Sequence, residues 1–237
     1  MIDIHAHILP GIDDGADAIA DSVEIIRELV GQGVTDIVAT PHYMVETIYS
    51  SPRTKNLVLL SKLRQALKYE DVKVNLYLGN EIYITDRIAE LIWDGKISTM
   101  AGGNYILVEL PMSGEYSGYE DIFLELMNAG YKVVLAHPER YNSVQDDYNV
   151  LKELNEMGVL FQCNIGSILG QYDKKAKKTI QKMASEKLIF AFGTDIHRCR
   201  GEGYIDGAIK RLSKYYGERE LKQIMESNPR KIIVAKS

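Results

Sequence analysis

Short runs of apolar, largely β-branched residues alternate along the chain with longer stretches in which apolar residues recur every three or four positions. The runs predict strands at 2–5 (IDIH), 36–40 (DIVAT), 73–78, 105–110, 132–136, 159–164 and 188–193. Each is almost continuously apolar, as expected of parallel strands covered on both faces. Between them the stripe Ile19, Val23, Ile26, Val30, stopped at Gly31-Gln32-Gly33, predicts an amphipathic helix. Similar stripes recur at Ile122, Leu126 and Ala129, at Val150, Leu154 and Met157, at Ile180, Met183 and Ala184, and at Ile205, Ile209 and Leu212. Further helices fit near 53–69 and 85–93. Seven strand–helix units without a linker or repeat predict one α/β domain over residues 1–237. A seven-stranded (β/α) barrel accounts for that length better than an open sheet, although the pattern leaves a doubly wound fold open. The last forty or so residues predict helix, followed by a short tail beginning at Asn228-Pro229.

Composition narrows the class. Hydrophobic residues at 46% and charged residues at 26% are globular averages, which excludes disordered and fibrous chains. A net charge of −5 leaves no basic footprint for nucleic acid or an anionic lipid surface. The first basic residue is Arg27, and no apolar run approaches the ~18 residues of a membrane span. Two isolated cysteines, Cys163 and Cys199, build neither a disulfide framework nor a thiolate metal site, so the expected compartment is the cytoplasm. Six positions after them stand Leu169 and Ile205, so the Cys-x5-Arg loop of thiol phosphatases is absent. The Lys174–Lys178 run reads as a solvated helix face.

The histidines carry the chemistry. All five, His5, His7, His42, His137 and His197, fall at or just beyond the end of a predicted strand. In parallel α/β folds the carboxyl ends of the strands form the face that carries sites. Glu81, Glu109, Asp195 and Asp14 reach the same level, giving nine candidate metal ligands. His5 and His7 are separated by one residue, so an extended chain projects both to one side, and Asp195 and His197 repeat the spacing. Nitrogen and oxygen donors without thiolate suit manganese, iron, cobalt or zinc, and nine ligands call for several ions.

These residues also carry a family likeness. Ile2-Asp3-Ile4-His5-Ala6-His7, Asp13-Asp14-Gly15, Thr40-Pro41-His42, Gly79-Asn80-Glu81-Ile82-Tyr83, Val108-Glu109, Ala136-His137-Pro138-Glu139-Arg140-Tyr141, Asp195-Ile196-His197 and Asn228-Pro229-Arg230-Lys231 resemble the polymerase and histidinol phosphatase (PHP) superfamily. Within it they are most similar to the manganese-dependent tyrosine-protein phosphatases of bacterial capsule and exopolysaccharide operons. The resemblance implies a distorted seven-stranded barrel with a trinuclear manganese centre at the C-terminal ends of the strands. In it His5, His7, Glu81 and Asp195 hold one metal, Glu81 bridges to a second completed by Glu109 and His137, and Asp14, His42 and His197 hold the third. Arg140 would grip the phosphate, and His42 would stand by the leaving group. Relatives carry a second arginine several residues after Asp-x-His, whereas here the segment reads Arg198-Cys199-Arg200, leaving Arg198 or Arg200 as its replacement.

The implied reaction is hydrolysis of phosphotyrosine by a metal-bridging hydroxide, since coordination lowers the pKa of water from 15.7 towards ~7. The implied partner is a phosphotyrosine protein, the tyrosine-rich tail of a bacterial autokinase; oligomeric state is left open. Tyr43, Tyr83, Tyr116, Tyr119 and Tyr141 lie near the site loops, where a ring could stack on substrate, and Pro111–Gly118 could form a rim over it. Other readings keep the centre but change its use: a small-molecule phosphatase such as histidinol phosphatase, or a non-catalytic regulator that binds metal and phosphotyrosine. An amidohydrolase fits less well because the fourth strand offers Glu109 where a bridging lysine would stand.

Overall fold

All seven apolar runs form strands in the computed structural model, which describes residues 1–114 and 117–233, but the described chain contains nine strands rather than seven. They are β1 (Ile2–Ala6), β2 (Asp36–Ala39), β3 (His42–Tyr43), β4 (Asn75–Leu78), β5 (Glu81–Tyr83), β6 (Tyr105–Glu109), β7 (Lys132–Ala136), β8 (Leu160–Asn164) and β9 (Ile189–Gly193). The two additional strands, β3 and β5, lie just beyond the ends of the predicted strands at 36–40 and 73–78, where the chain continues into a different sheet. Pro41 has no N–H to extend the ladder after β2. Instead its carbonyl accepts from the Glu81 N–H at 3.2 Å and from the Asn80 side-chain amide at 3.0 Å. The Asn80 oxygen in turn takes the Ser98 N–H at 2.9 Å, which anchors the crossing from β4 to β5. The result is a three-stranded sheet, β1-β2-β4, and a six-stranded sheet, β3-β5-β6-β7-β8-β9, both entirely parallel.

The sheets approach each other along β1 and the segment after β9. Ala6 bridges Ile196, the Asp195 N–H donates to the His5 carbonyl at 2.8 Å, and the His7 N–H donates to the Ile196 carbonyl at 3.0 Å. Buried Asp3 ties the same seam by accepting the Thr194 N–H at 3.0 Å and hydroxyl at 2.5 Å.

Side-chain alternation places the core. Ile2, Ile4, Val38, Leu107, Val134, Ala136 and Ala191 form one buried cluster with Met100 and Ile232, while Ile37, Ile106, Val108, Val133, Leu135, Phe161 and Phe192 face the helices. Glu109 continues the row of Tyr105 and Leu107. His5 and His7 have the opposite parity to Ile2 and Ile4. Between Asp3 and Ala6 the register slips by one residue against β2, and this bulge re-aims the chain so that both imidazoles join the carboxylates.

Helices pack on the outer side. Ile19–Gly31 buries Ser22, Val23, Ile25, Ile26 and Leu29, a face rotated slightly from the predicted stripe, whose ends Ile19 and Val30 are only half-buried. Asp21 accepts the Ala18 N–H at 2.9 Å at its start, and Gly33, at φ 87°, turns the chain at its end. The other predicted helices occur at Arg53–Tyr69, Ile88–Trp93, Tyr119–Asn128, Asn149–Met157, Lys174–Ser185 and Tyr204–Leu212. The expected tail at Asn228-Pro229 is instead helical, Asn228–Ile233, entered through a π-turn at Gln223–Ser227. Proline is tolerated there because the π-turn just before it already interrupts the regular i→i−4 ladder, and Ile232 is then fully buried with Ile2 and Ile4. None of the described helices is long and apolar enough to cross a membrane.

Candidate metal centre

The nine residues singled out by their placement converge at the carboxyl ends of the strands. Glu81, fully buried at the start of β5, lies at their centre. Its Oε2 lies 3.1 Å from His5 Nε2, 3.2 Å from His7 Nε2 and 3.0 Å from His42 Nδ1. Its Oε1 meets His137 Nε2 at 2.8 Å. Asp195 Oδ1 stands 3.5 Å from His5 Nε2 and 3.4 Å from His7 Nε2, whose two Nε2 atoms are 3.2 Å apart. On the outer side, Asp14 Oδ1 faces His197 Nε2 at 3.2 Å and His42 Nε2 at 3.5 Å. Glu109 faces His42 Nδ1 at 3.7 Å and His137 Nε2 at 3.8 Å.

This geometry fits cations better than protons. Ligands at ~2.1 Å around a tetrahedral ion lie about 3.4 Å from one another, which matches the spacing among His5, His7, Glu81 and Asp195. Glu81 Oε2 and His42 Nδ1 are buried without a hydrogen bond even though three imidazole nitrogens surround the carboxylate oxygen. Paired buried polar atoms are the rule, so an orphaned oxygen among nitrogens marks a position prepared for an ion. Three overlapping donor sets result: His5, His7, Glu81 and Asp195; His42, Glu81 and Glu109; and His7, Asp14, His42 and His197. His137 stands beside the second through its contact with Glu81.

Charge is concentrated here. Burial alone would lower the His5 imidazole, but Glu81 and Asp195 beside it outweigh that and lift it to about 9. His7 is likewise held well above the ordinary range, against burial, by Asp13, Asp195 and Glu81. Burial, then the Glu81 charge, raises the Glu109 carboxyl to about 7. The His197 contact lowers the Asp14 carboxyl to about 2.

The imidazoles are oriented from behind. His5 Nδ1 meets Gln162 Oε1 at 2.8 Å, His7 Nδ1 meets Asp13 Oδ2 at 2.9 Å, and His197 Nδ1 meets the Asp195 carbonyl at 3.0 Å. Such partners fix the tautomer that leaves Nε2 free to ligate. Asp13 also accepts the N–H groups of Gly15 and His42, at 3.0 and 3.1 Å, and so holds two loops. Gly15 has to be glycine: a Cβ there would stand 2.1 Å from the His7 carbonyl oxygen. His137 and Asp195 both adopt positive φ, 31° and 49°, a conformation rare outside glycine and frequent at functional sites.

Among the arginines, Arg140 reaches the centre. Its Nη1 donates to Asp195 Oδ2 at 2.9 Å, so one oxygen of that carboxylate faces the imidazoles and the other the guanidinium. Arg198 turns elsewhere: Nη1 donates to the carbonyls of Gly15, Asp14 and His197, and Nη2 to Asp17 at 3.1 Å. It braces the loop bearing Asp14. Arg200 is exposed, its N–H bonded to Glu28 at 2.8 Å.

The tyrosine expectation needs correction at Tyr141 and Tyr43, whereas Tyr83, in β5, and Tyr119 are only half-buried. Tyr141 is fully buried, its hydroxyl locked between Leu110 and Ala136, so it cannot stack on a substrate. Tyr119 packs on Phe123 at 5.6 Å, Tyr43 is buried, and Tyr116 lies outside the described residues, within the 111–118 segment. Two unpredicted tyrosines stand at the site instead. Tyr49 stacks on His42 with ring centres 5.8 Å apart, and Tyr172 lies under Arg140 at 4.4 Å. Asp13, Gln162 and Asn164 were also not foreseen as supports. Gln162 and Asn164 are polar residues inside an apolar strand, which is a readable signal; the two tyrosines carry none.

The description of the matching family model, spanning residues 1–234, reads capsular polysaccharide synthesis, CpsB/CapC. The chain is 34% identical over 227 residues to a putative tyrosine-protein phosphatase CapC of Staphylococcus aureus, covering 95% of this chain and 86% of that protein. It is 31% identical over 229 residues to tyrosine-protein phosphatase YwqE of Bacillus subtilis, covering 96% and 89%. A solved structure from work on YwqE and Streptococcus pneumoniae CpsB, described as unique metal-dependent tyrosine phosphatases, superposes with a TM-score of 0.92 at 29% identity, over 100% of this chain and 96% of that one.

Proposed function

Because the chain belongs to the CpsB/CapC family of capsular polysaccharide synthesis, we propose that its nine converging residues are the working centre of a metal-dependent protein-tyrosine phosphatase. The observation that carries the reading is Glu81, whose unbonded buried oxygen joins the imidazole–carboxylate sets in a chain that matches such phosphatases along nearly its whole length. The two sheets are read as arcs of one distorted barrel, with the Ala6–Ile196 bridge supporting that view, and residues 1–237 as one catalytic domain.

Three sites are assigned. His5, His7, Glu81 and Asp195 would hold one divalent ion, Glu81 with Glu109 and His137 a second, and Asp14, His42 and His197 a third; the proximity of His42 to Glu109 and of His7 to Asp14 means neighbouring sites share walls. Manganese is the ion proposed. Divalent ions so bound bring water towards ionisation at neutral pH and neutralise phosphate oxygens. Four carboxylates against three such ions leave a formal +2, which suits a phosphomonoester dianion.

The protein supplies the rest. Arg140 spends one nitrogen on Asp195 and presents its remaining donors for phosphate oxygens, a planar fork suited to two of them. With Arg198 committed to the 14–17 loop, phosphate orientation falls chiefly to Arg140. His42, less buried than His5 or His7, is the imidazole we assign to the side of the departing phenolate oxygen. A tyrosyl leaving group has a pKa near ~10 and needs little protonation, whereas a seryl alkoxide needs much more. The phosphotyrosine-bearing tail of a bacterial tyrosine kinase is the substrate we propose.

The test is phosphate release from a phosphotyrosyl peptide and from histidinol phosphate by metal-stripped protein with and without added manganese. Manganese-dependent turnover favouring the peptide is expected. Preference for histidinol phosphate would overturn the substrate, and no turnover with any divalent ion would overturn the reaction.

A further inference from the structure

We propose that Tyr172 is a positioning residue that holds the Arg140 guanidinium in the attitude needed to receive a phosphate group, an inference that rests on the phosphatase reading above. The Arg140 Cζ lies 4.4 Å from the centre of the Tyr172 ring, within the range of a cation–π contact. The same two residues are linked a second way. Tyr172 Oη stands 3.3 Å from Asn164 Nδ2, and that amide donates at 2.7 Å to Asp195 Oδ2, the oxygen that also accepts from Arg140 Nη1. Ring, amide, carboxylate and guanidinium therefore form a closed circuit. One face of Arg140 is covered and one edge is tied.

The local fold is built to place this ring. The helix Ile165–Leu169 stops at Gly170, at φ 84°, and the Gln171 N–H returns to the Gly166 carbonyl at 3.0 Å. Immediately after Tyr172, Asp173 caps the next helix by accepting the Ala176 N–H at 2.7 Å. Tyr172 is thus fixed between a helix stop and a helix start. Gly166 leaves the ring its room, since a Cβ there would come within 3.1 Å of Tyr172 Cε2. From below, fully buried Glu139 accepts the Asn164 N–H at 2.9 Å and the Ser167 hydroxyl at 2.6 Å, which anchors the amide and the start of the short helix. A long arginine side chain without such a platform would lose rotamer freedom each time it met its ligand. The platform removes that cost beforehand, so its loss weakens ground-state binding more than turnover.

The experiment compares Tyr172→Leu, Tyr172→Phe, Arg140→Ala and Arg140→Ala with Tyr172→Leu, all loaded with manganese. Binding of inorganic phosphate is measured by calorimetry, and kcat and KM on a phosphotyrosyl peptide in parallel. Tyr172→Leu is expected to weaken phosphate binding and raise KM by about tenfold with kcat changed less than threefold, the scale of a partly buried cation–π contact. Tyr172→Phe, which keeps the stacked ring, should stay within about threefold of the parent in both readouts. In the Arg140→Ala background the leucine substitution should add nothing, because the guanidinium it positions is gone. Unchanged phosphate affinity in Tyr172→Leu, equal loss in Tyr172→Phe, or the same loss without Arg140 would each overturn the proposal. Should the leucine variant not fold, Tyr172→Met is read against the same outcomes. A parent protein that binds phosphate but leaves the peptide intact would overturn the substrate assignment while the Tyr172 comparison proceeds on phosphate alone. If the parent binds no phosphate, both fall.

Discussion

Replacing Tyr141 by phenylalanine isolates how the two strand ends that carry the proposed ligands Glu109 and His137 are held together. The Tyr141 hydroxyl donates to the Ala136 carbonyl at 2.6 Å and accepts the Leu110 N–H at 3.0 Å, with the side chain fully buried. Burial raises its pKa well above the ordinary value, so the hydroxyl keeps its proton for that bond. Leu110 follows Glu109, and Ala136 precedes His137. Phenylalanine keeps the ring and its edge contact with His137 but deprives two buried backbone groups of a partner. Each such group costs about 1–3 kcal/mol, less for a carbonyl that keeps another donor, so the loss is about 2–4 kcal/mol. A chain of 237 residues has an unfolding entropy near 0.5 kcal/mol/K, so the expected fall in Tm is about 4–8 °C. The assay is thermal unfolding of metal-free parent and variant, followed by manganese titration. Metal affinity should weaken by about tenfold, the lower range for losing a partner behind the ligands. A Tm within 2 °C or so of the parent together with unchanged manganese affinity would refute the reasoning, since Glu109 and His137 would then be placed without the phenol.

Other outcomes follow from the same geometry. With His5 lifted to about 9, metal-free protein carries that ring protonated at neutral pH, so manganese loading at pH 7 should expel at least one proton; calorimetric heats independent of buffer ionisation enthalpy would contradict this. For His5 the folded pKa lies above the unfolded value of about 6.5, so its stabilisation is complete below pH 6.5 and vanishes as pH rises through about 9. Urea unfolding of metal-free protein should therefore show stability falling over that window by an amount on the order of 3 kcal/mol, and a flat or rising profile would count against it. Gly15→Ala forces a Cβ against the His7 carbonyl and should abolish loading of the site containing Asp14 and His7, read as metal content after dialysis; full loading would show that the loop yields. Arg198→Ala should release the same loop and lower metal content without altering phosphate affinity per loaded protein, whereas a selective loss of phosphate affinity would make Arg198 a substrate contact.

The order of elements and the donors at the strand ends were legible in the sequence because both depend on local pattern, whereas the grouping of those donors and the reaction were implied by the family resemblance. Parallel strands buried on both faces must be apolar runs, and polar residues repeatedly placed at their carboxyl ends have few structural reasons to be there. Much less could be read of how those residues are aimed. The bulge between Asp3 and Ala6, the crossings at Pro41 and Asn80 that make nine strands from seven runs, and the positive φ of His137 and Asp195 each depend on partners far along the chain. So does the fate of the tyrosines: Tyr141 closes a buried seam, while Tyr49 and Tyr172 stand beside His42 and Arg140 from loops whose composition does not distinguish them. Sequence alone determined which donors the protein carries and at which end of the strands they lie, since periodicity and residue type are properties of neighbouring positions. Tertiary structure decided that Glu81 is shared, that Asp195 divides its two oxygens between imidazoles and guanidinium, and that Arg198 braces a loop. Those distances of about 3 Å are set by packing between segments as far apart as β1 and β9, which no local pattern encodes.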